Sequence, residues 1–152
     1  MASNVVIRYD VMMFNELVQK SAIAVPDDAI ILLEKAISLY KGSFLKGIEI
    51  AWAEDRRKEL QEEYGEALAA LAKLKEQRSQ KQEALGLYLR ALSHLPHRED
   101  LASHVMRLYR EHNMHTDALL IYQRLRQELQ QRLGVQPAPQ LQNLMQQIQK
   151  EM

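Results

Sequence analysis

Cysteine is absent from the 152-residue chain, so neither a disulfide framework nor a thiolate metal site is available to it. Glycine and proline are scarce, five and four residues, and sit where helix ends are expected. Neither sign of charge is in excess: 20 Lys and Arg face 20 Asp and Glu. That balance argues against direct nucleic-acid binding, where phosphate neutralisation supplies most of the affinity. The one purely basic run, Arg56-Arg57-Lys58, is followed by Glu59, Glu62 and Glu63 and reads as a charged helix face. No apolar run approaches the roughly 20 residues of a membrane span. The opening Met1-Ala2-Ser3-Asn4 has neither the basic nor the apolar region of a signal peptide.

What is abundant is Leu, Ala, Gln, Glu, Lys and Arg, all good helix formers. The length suits one domain. Val5-Val6-Ile7-Arg8-Tyr9 is the only strand-like segment. Asp10 is expected to cap a first helix, with Met13, Phe14, Leu17 and Val18 on its apolar face. Pro26 and Asp27 open a second helix that Gly42 stops, and Phe44 and Leu45 tuck into a loop from 42 to 47. A long helix is predicted from about Ala51 to Gln77, anchored at its start by Trp52. Ser79 is expected to cap the next helix, which Pro96 ends. A helix from about Arg98 to Glu111 follows, then one capped by Thr116 and stopped at Gly134, then a last from about Gln140 to Lys150.

The informative feature is a repeat. Glu83-Ala84-Leu85-Gly86-Leu87-Tyr88-Leu89-Arg90 recurs as Asp117-Ala118-Leu119-Leu120-Ile121-Tyr122-Gln123-Arg124, 34 residues on. That is the tetratricopeptide period. Ala84, Tyr88, Ala91 and Pro96 fit its second helix, and Leu68, Leu71 and Ala72 its first. The second unit keeps Tyr109, Ala118 and Tyr122 but has Leu125 and Gln130 in place of the second Ala and the Pro. Ala29, Leu33 and Ala36 echo the same spacing earlier. The expected fold is therefore all-α and tetratricopeptide-like, an α-α superhelix of about seven helices. Its pairs would span 10–47, 51–97 and 98–133, with a capping helix over 137–152.

Several residues invite sharper readings. Of the five histidines, His94 and His97 flank Pro96, and His112 and His115 lie three apart at a helix junction; without Cys or a His-Glu-x-x-His run they read as turn residues, and no metal or cofactor is expected. Carboxylates alternate with Lys and Arg as solvated charge, and no phosphate loop or nucleophile elbow appears, so no catalytic residues are expected. Tyr64, Tyr88, Tyr109 and Tyr122 fall at core positions, with hydroxyls reaching the surface or a backbone acceptor. The candidate partner-binding residues lie on the inner face of the repeat. Projection places Glu66, Ala69, Lys73 and Gln77 there from one helix, and Asp100, Ser103, Arg107 and Arg110 from the next. Lys73, Gln77, Arg107 and Arg110 are the residues expected to meet a partner, the cations facing an acidic or carboxylate-bearing segment.

Larger fragments add a family resemblance. Tyr40-Lys41-Gly42-Ser43-Phe44-Leu45, Trp52-Ala53-Glu54-Asp55-Arg56-Arg57, Pro96-His97-Arg98-Glu99 and Met106-Arg107-Leu108-Tyr109 carry it, together with Leu133-Gly134-Val135-Gln136-Pro137. Over nearly its whole length the chain resembles the bacterial transcriptional activator domain of the antibiotic regulatory protein (SARP) class. Family members often have Gly at the helix turns, where this chain has Ser79 and Asn113. The resemblance implies a cytoplasmic transcription regulator. It implies a winged-helix DNA-binding domain upstream, and contacts with RNA polymerase or a second copy of the protein. Two other readings stand beside it: a generic repeat scaffold that binds a peptide, and a homodimerisation module with no other partner. The face of the C-terminal helix, Leu141, Leu144, Met145 and Ile148, separates them in part. Packed on the last repeat it is a cap; exposed, it is an interface.

Overall fold

A computed structural model describes residues 2–40 and 54–152, with side chains over 11–40 and 58–152. Seven helices and no strand occupy the described residues: α1 (Ala2–Ile23), α2 (Pro26–Leu39), α3 (Glu54–Gln77), α4 (Lys81–His94), α5 (Glu99–Glu111), α6 (His115–Leu133) and α7 (Pro139–Lys150). Successive helices pack on each other, and α2 also joins α3, so the chain stacks in sequence order. The all-α repeat architecture is the one the sequence pattern implies.

The repeat is written into the backbone. Ser79 and Asn113, 34 residues apart, both take left-handed φ angles, 62° and 61°. Each ends an inner helix with the same pair of bonds. The Gln80 amide donates to the Lys75 carbonyl at 2.9 Å, and the Met114 amide donates to Tyr109 at 2.8 Å. Ser79 and Asn113 donate to Glu76 and Arg110, both at 3.0 Å. This tight reversal satisfies carbonyls that the helix end leaves open. Side chains repeat too. Leu68, Leu71 and Ala72 are buried, as are Ala102, Val105 and Met106 one period later. Ala29, Leu33 and Ala36, then Ala84, Tyr88 and Ala91, are buried at equivalent points of α2 and α4.

Close helix approach explains the small residues. A Cβ on Gly65 of α3 would lie 2.9 Å from Leu95 Cγ and 3.1 Å from His94 Cβ. Aromatic rings knit the first two pairs together. Phe14 tilts on Tyr40, Tyr40 stacks on Tyr64 at 4.0 Å, and His94 meets the edge of Tyr64 at 5.0 Å.

Four local expectations are corrected. Val5–Tyr9 lies inside α1, because a helix continuing downstream outweighs the weak strand preference of three β-branched residues. Asp10 is consequently interior to α1, not its cap. Ser79 occupies the left-handed position after α3, and Gln80 is the residue that precedes α4, with no side-chain cap. Thr116 sits in the first turn of α6, which Met114 precedes. Gly134, at φ 64°, does stop α6. The readings of Gly42, Phe44, Leu45 and Trp52 lie outside the described residues.

The C-terminal helix is held at both ends. The Ala138 amide donates to Glu99 Oε1 at 2.6 Å. Beyond α7, Glu151 accepts two bonds from Arg110 Nε, at 2.9 and 3.0 Å, and lies 2.9 Å from His115 Nε2. Glu99 opens α5 and Arg110 nears its end, so α7 runs parallel to α5, in the place of a further inner helix. Leu141, Leu144 and Ile148 are buried beneath it. The helix is a cap on the last repeat.

Candidate functional site: the inner face of the repeats

The inner face is built by the first helix of each pair, α1, α3 and α5. Equivalent positions of α3 and α5 are physically linked. Arg98, at the start of α5, forks onto both carboxylate oxygens of Asp100 at 2.9 Å and also bonds Glu66 of α3. Glu66 and Asp100 are one 34-residue period apart. Those bonds hold the Asp100 carboxyl below its usual range, against the opposing effect of partial burial. A second bridge sits further along. Tyr88 donates its hydroxyl to Glu76 Oε2 at 3.1 Å, and His104 Nδ1 lies 3.5 Å from the same oxygen. The Tyr88 and His104 rings stack at 4.8 Å. Burial, and then the Glu76 charge, push the Tyr88 phenol well above its ordinary value.

Near these bridges lie the residues singled out from the pattern. Lys73, Gln77 and Arg107 are exposed and make no hydrogen bond or ion pair among the described residues. Lys73 and Arg107 are separated by one period, as Glu66 and Asp100 are. Arg110 differs: it is consumed by Glu151, an acid 41 residues away that the pattern gave no reason to pair with it. Ala69 and Ser103 are half-buried. Glu66 and Asp100 are spent on Arg98, a residue that inner-face projection missed because it lies in the connecting turn.

On the other side of α3, a cleft of about 530 Å³ opens between α1 and α3, floored by α2. Val18 and Ala22 of α1, Ala29 and Leu33 of α2, and Ala70 and Leu74 of α3 line it, with Lys73, Gln77 and Glu66 at its edge. Its surface is chiefly apolar. Alanine at positions 22, 29 and 70 leaves room that larger side chains would fill.

Several other polar residues are tied up structurally. Tyr64 accepts from Arg90 Nη2 at 2.6 Å, so the buried tyrosines 64 and 88 find side-chain partners, where a backbone or solvent partner was expected. His112 Nδ1 donates to the Leu108 carbonyl at 2.6 Å. Burial, with help from Arg90, lowers the His94 pKa. Among the described residues no three His, Asp or Glu side chains gather as a metal site. No described helix is long and apolar enough to cross a membrane.

The family model described as the bacterial transcriptional activator domain matches residues 9–149. The chain belongs to that family. It is the activator-domain family that the sequence resemblance implies. Among solved structures, Mycobacterium tuberculosis EmbR, in complex with a low-affinity phosphopeptide, is similar at a TM-score of 0.64 and 22% identity. That match covers 94% of the activator domain but 38% of the EmbR chain, and at this identity it speaks to the fold. No curated protein matches significantly.

Proposed function

We propose that this activator domain is the protein-docking part of a cytoplasmic bacterial transcription regulator, contacting RNA polymerase or a second copy of the regulator and carrying out no bond-making chemistry. DNA recognition is assigned to a winged-helix domain elsewhere in the regulator, consistent with a chain that has no excess of basic residues. The chain spans well under half of EmbR, which leaves room for such domains in a relative.

The observation that carries the reading is the inner face. Three stacked helices present it, Lys73, Gln77 and Arg107 stand on it uncommitted, and an apolar cleft adjoins them. Dimerisation through α7 loses its support, since the apolar face of that helix is buried on the last repeat. Membership of a transcription family weighs against an unrelated scaffold.

Immobilised protein exposed to a bacterial lysate is expected to retain RNA polymerase subunits or the same regulator. The double variant Lys73→Glu/Arg107→Glu is expected to release them. Arg110 is unsuitable for this control, because changing it also frees Glu151 and the cap. Retention unaltered by the double variant would move the docking surface off the inner face.

A further inference from the structure

The pairing of charges along the inner face is uneven in a way that names the partner's chemistry. Between Val11 and Ala22 of α1, the only charged residues, Glu16 and Lys20, pair with each other at 2.8 Å. Between Glu66 and Gln77 of α3, Glu66 bonds Arg98, and Glu76 serves Tyr88 and His104. In that same stretch Lys75 turns to Glu34 and Glu83, at 3.5 and 3.1 Å. Between Asp100 and Glu111 of α5, Asp100 holds Arg98, Glu111 holds Lys81 at 2.7 Å, and Arg110 holds Glu151. Within these three stretches two charges are left over, Lys73 and Arg107, and both are cations. They occupy the same position of successive repeats. The equivalent position in α1, counted from the Ala29–Ala84 match, is Val18, which lines the apolar cleft.

We infer that the inner face takes an acidic, amphipathic segment of a partner protein, with carboxylates on Lys73 and Arg107 and aliphatic or aromatic side chains in the α1–α3 cleft. This deepens the docking reading above and rests on it. Lys73 and Arg107 sit seven residues, two helical turns or about 10 Å, beyond Glu66 and Asp100 on their helices. Arg98 shows that equivalent points of the two helices lie within one side chain's span. A peptide crossing the helices there meets Val18, Lys73 and Arg107 in turn. Arg107 offers a planar fork to a carboxylate and Lys73 a point charge. A basic segment finds no free carboxylate over this stretch, which gives discrimination by repulsion as well as attraction.

The test uses three dodecapeptides that share alternating Leu and Phe positions and carry Glu, Gln or Lys between them. Each is titrated into the isotope-labelled protein and followed by amide chemical shifts. The Glu peptide is expected to shift Val18, Ala22, Lys73 and Arg107 saturably, at least tenfold more tightly than the Gln peptide, with affinity falling as salt rises. The Lys peptide is expected not to bind the native protein and to bind Lys73→Glu/Arg107→Glu. Equal binding of the Glu and Gln peptides, or shifts centred on another face, overturns the inference. If no peptide binds, or the Glu peptide fails to displace polymerase subunits captured from lysate, the acidic assignment falls. The docking reading is then still judged by that capture. A folded far-ultraviolet spectrum for the double variant separates lost binding from lost structure.

Discussion

At the scale of single residues, two glycines in helix interiors should respond to alanine with opposite signs. Gly65 is where α3 meets the end of α4, and a methyl there drives into Leu95, itself buried, and His94. Overpacking of that kind costs about 1–3 kcal/mol. It should outweigh the helix-propensity gain of up to about 1 kcal/mol. Gly86 has nothing within 4 Å of its added Cβ. Gly86→Ala should therefore stabilise by about 0.5–1 kcal/mol, and Gly65→Ala should destabilise. Urea midpoints of the two variants check both signs. Histidine 94 adds a pH effect. Its folded pKa is depressed below 6.5, chiefly by burial. The unfolded chain therefore takes up the proton first, and stability is present above pH 6.5 and lost as pH falls through the folded value. A His94→Gln variant should show a flatter dependence of its urea midpoint between pH 7 and 5.

At the scale of the helix, the left-handed positions Ser79 and Asn113 are the ones to probe. A non-glycine residue in that conformation costs roughly 1–2 kcal/mol, less for Asn, whose side chain bonds locally. Ser79→Gly should raise the melting temperature more than Asn113→Gly, and Ser79→Val should lower it; calorimetry of the three variants decides. These same turns show how far the sequence could be read. The 34-residue echo of Ala84 and Tyr88 in Ala118 and Tyr122 gave the fold, because packing between paired helices demands small and large residues at fixed offsets. Caps were read less well. Ser79 and Thr116 look like helix starts by residue type, yet a serine can also accept a left-handed end, and composition does not separate the two. The site divided the same way. Lys73 and Arg107 were placed by periodicity, while the capture of Arg110 by Glu151 and of Glu66 by Arg98 depends on contacts 41 and 32 residues apart, beyond any local pattern.

At the scale of the whole molecule, stability is a sum over neighbouring helices, so damage should spread from the ends. Leu144, buried under the cap, illustrates it: Leu144→Ala should cost about 2–5 kcal/mol. Amide exchange should show α7 opening first, then α5 and α6, with α3 and α4 last. The Glu151 clamp gives the cap a pH limit. Bonds from Arg110, then His115, hold the Glu151 carboxyl below its ordinary 4.5. A depressed carboxylate stabilises above its unfolded pKa and ceases to as pH falls through the folded value. Exchange in α7 should quicken below about pH 4.5 relative to α3. Glu151→Gln should show the faster rate already at neutral pH.

The matching seams at Ser79 and Asn113 carry one more consequence. Both have the same backbone angle and the same two bonds, so the stretch from 80 to 113 starts and finishes on interchangeable joints. A gene carrying that stretch twice in tandem would encode a longer molecule whose new joint is already one the chain knows how to make. Lengthening by unequal crossing-over is thus open to this architecture at the level of DNA, and each added unit would bring one more arginine to the same row.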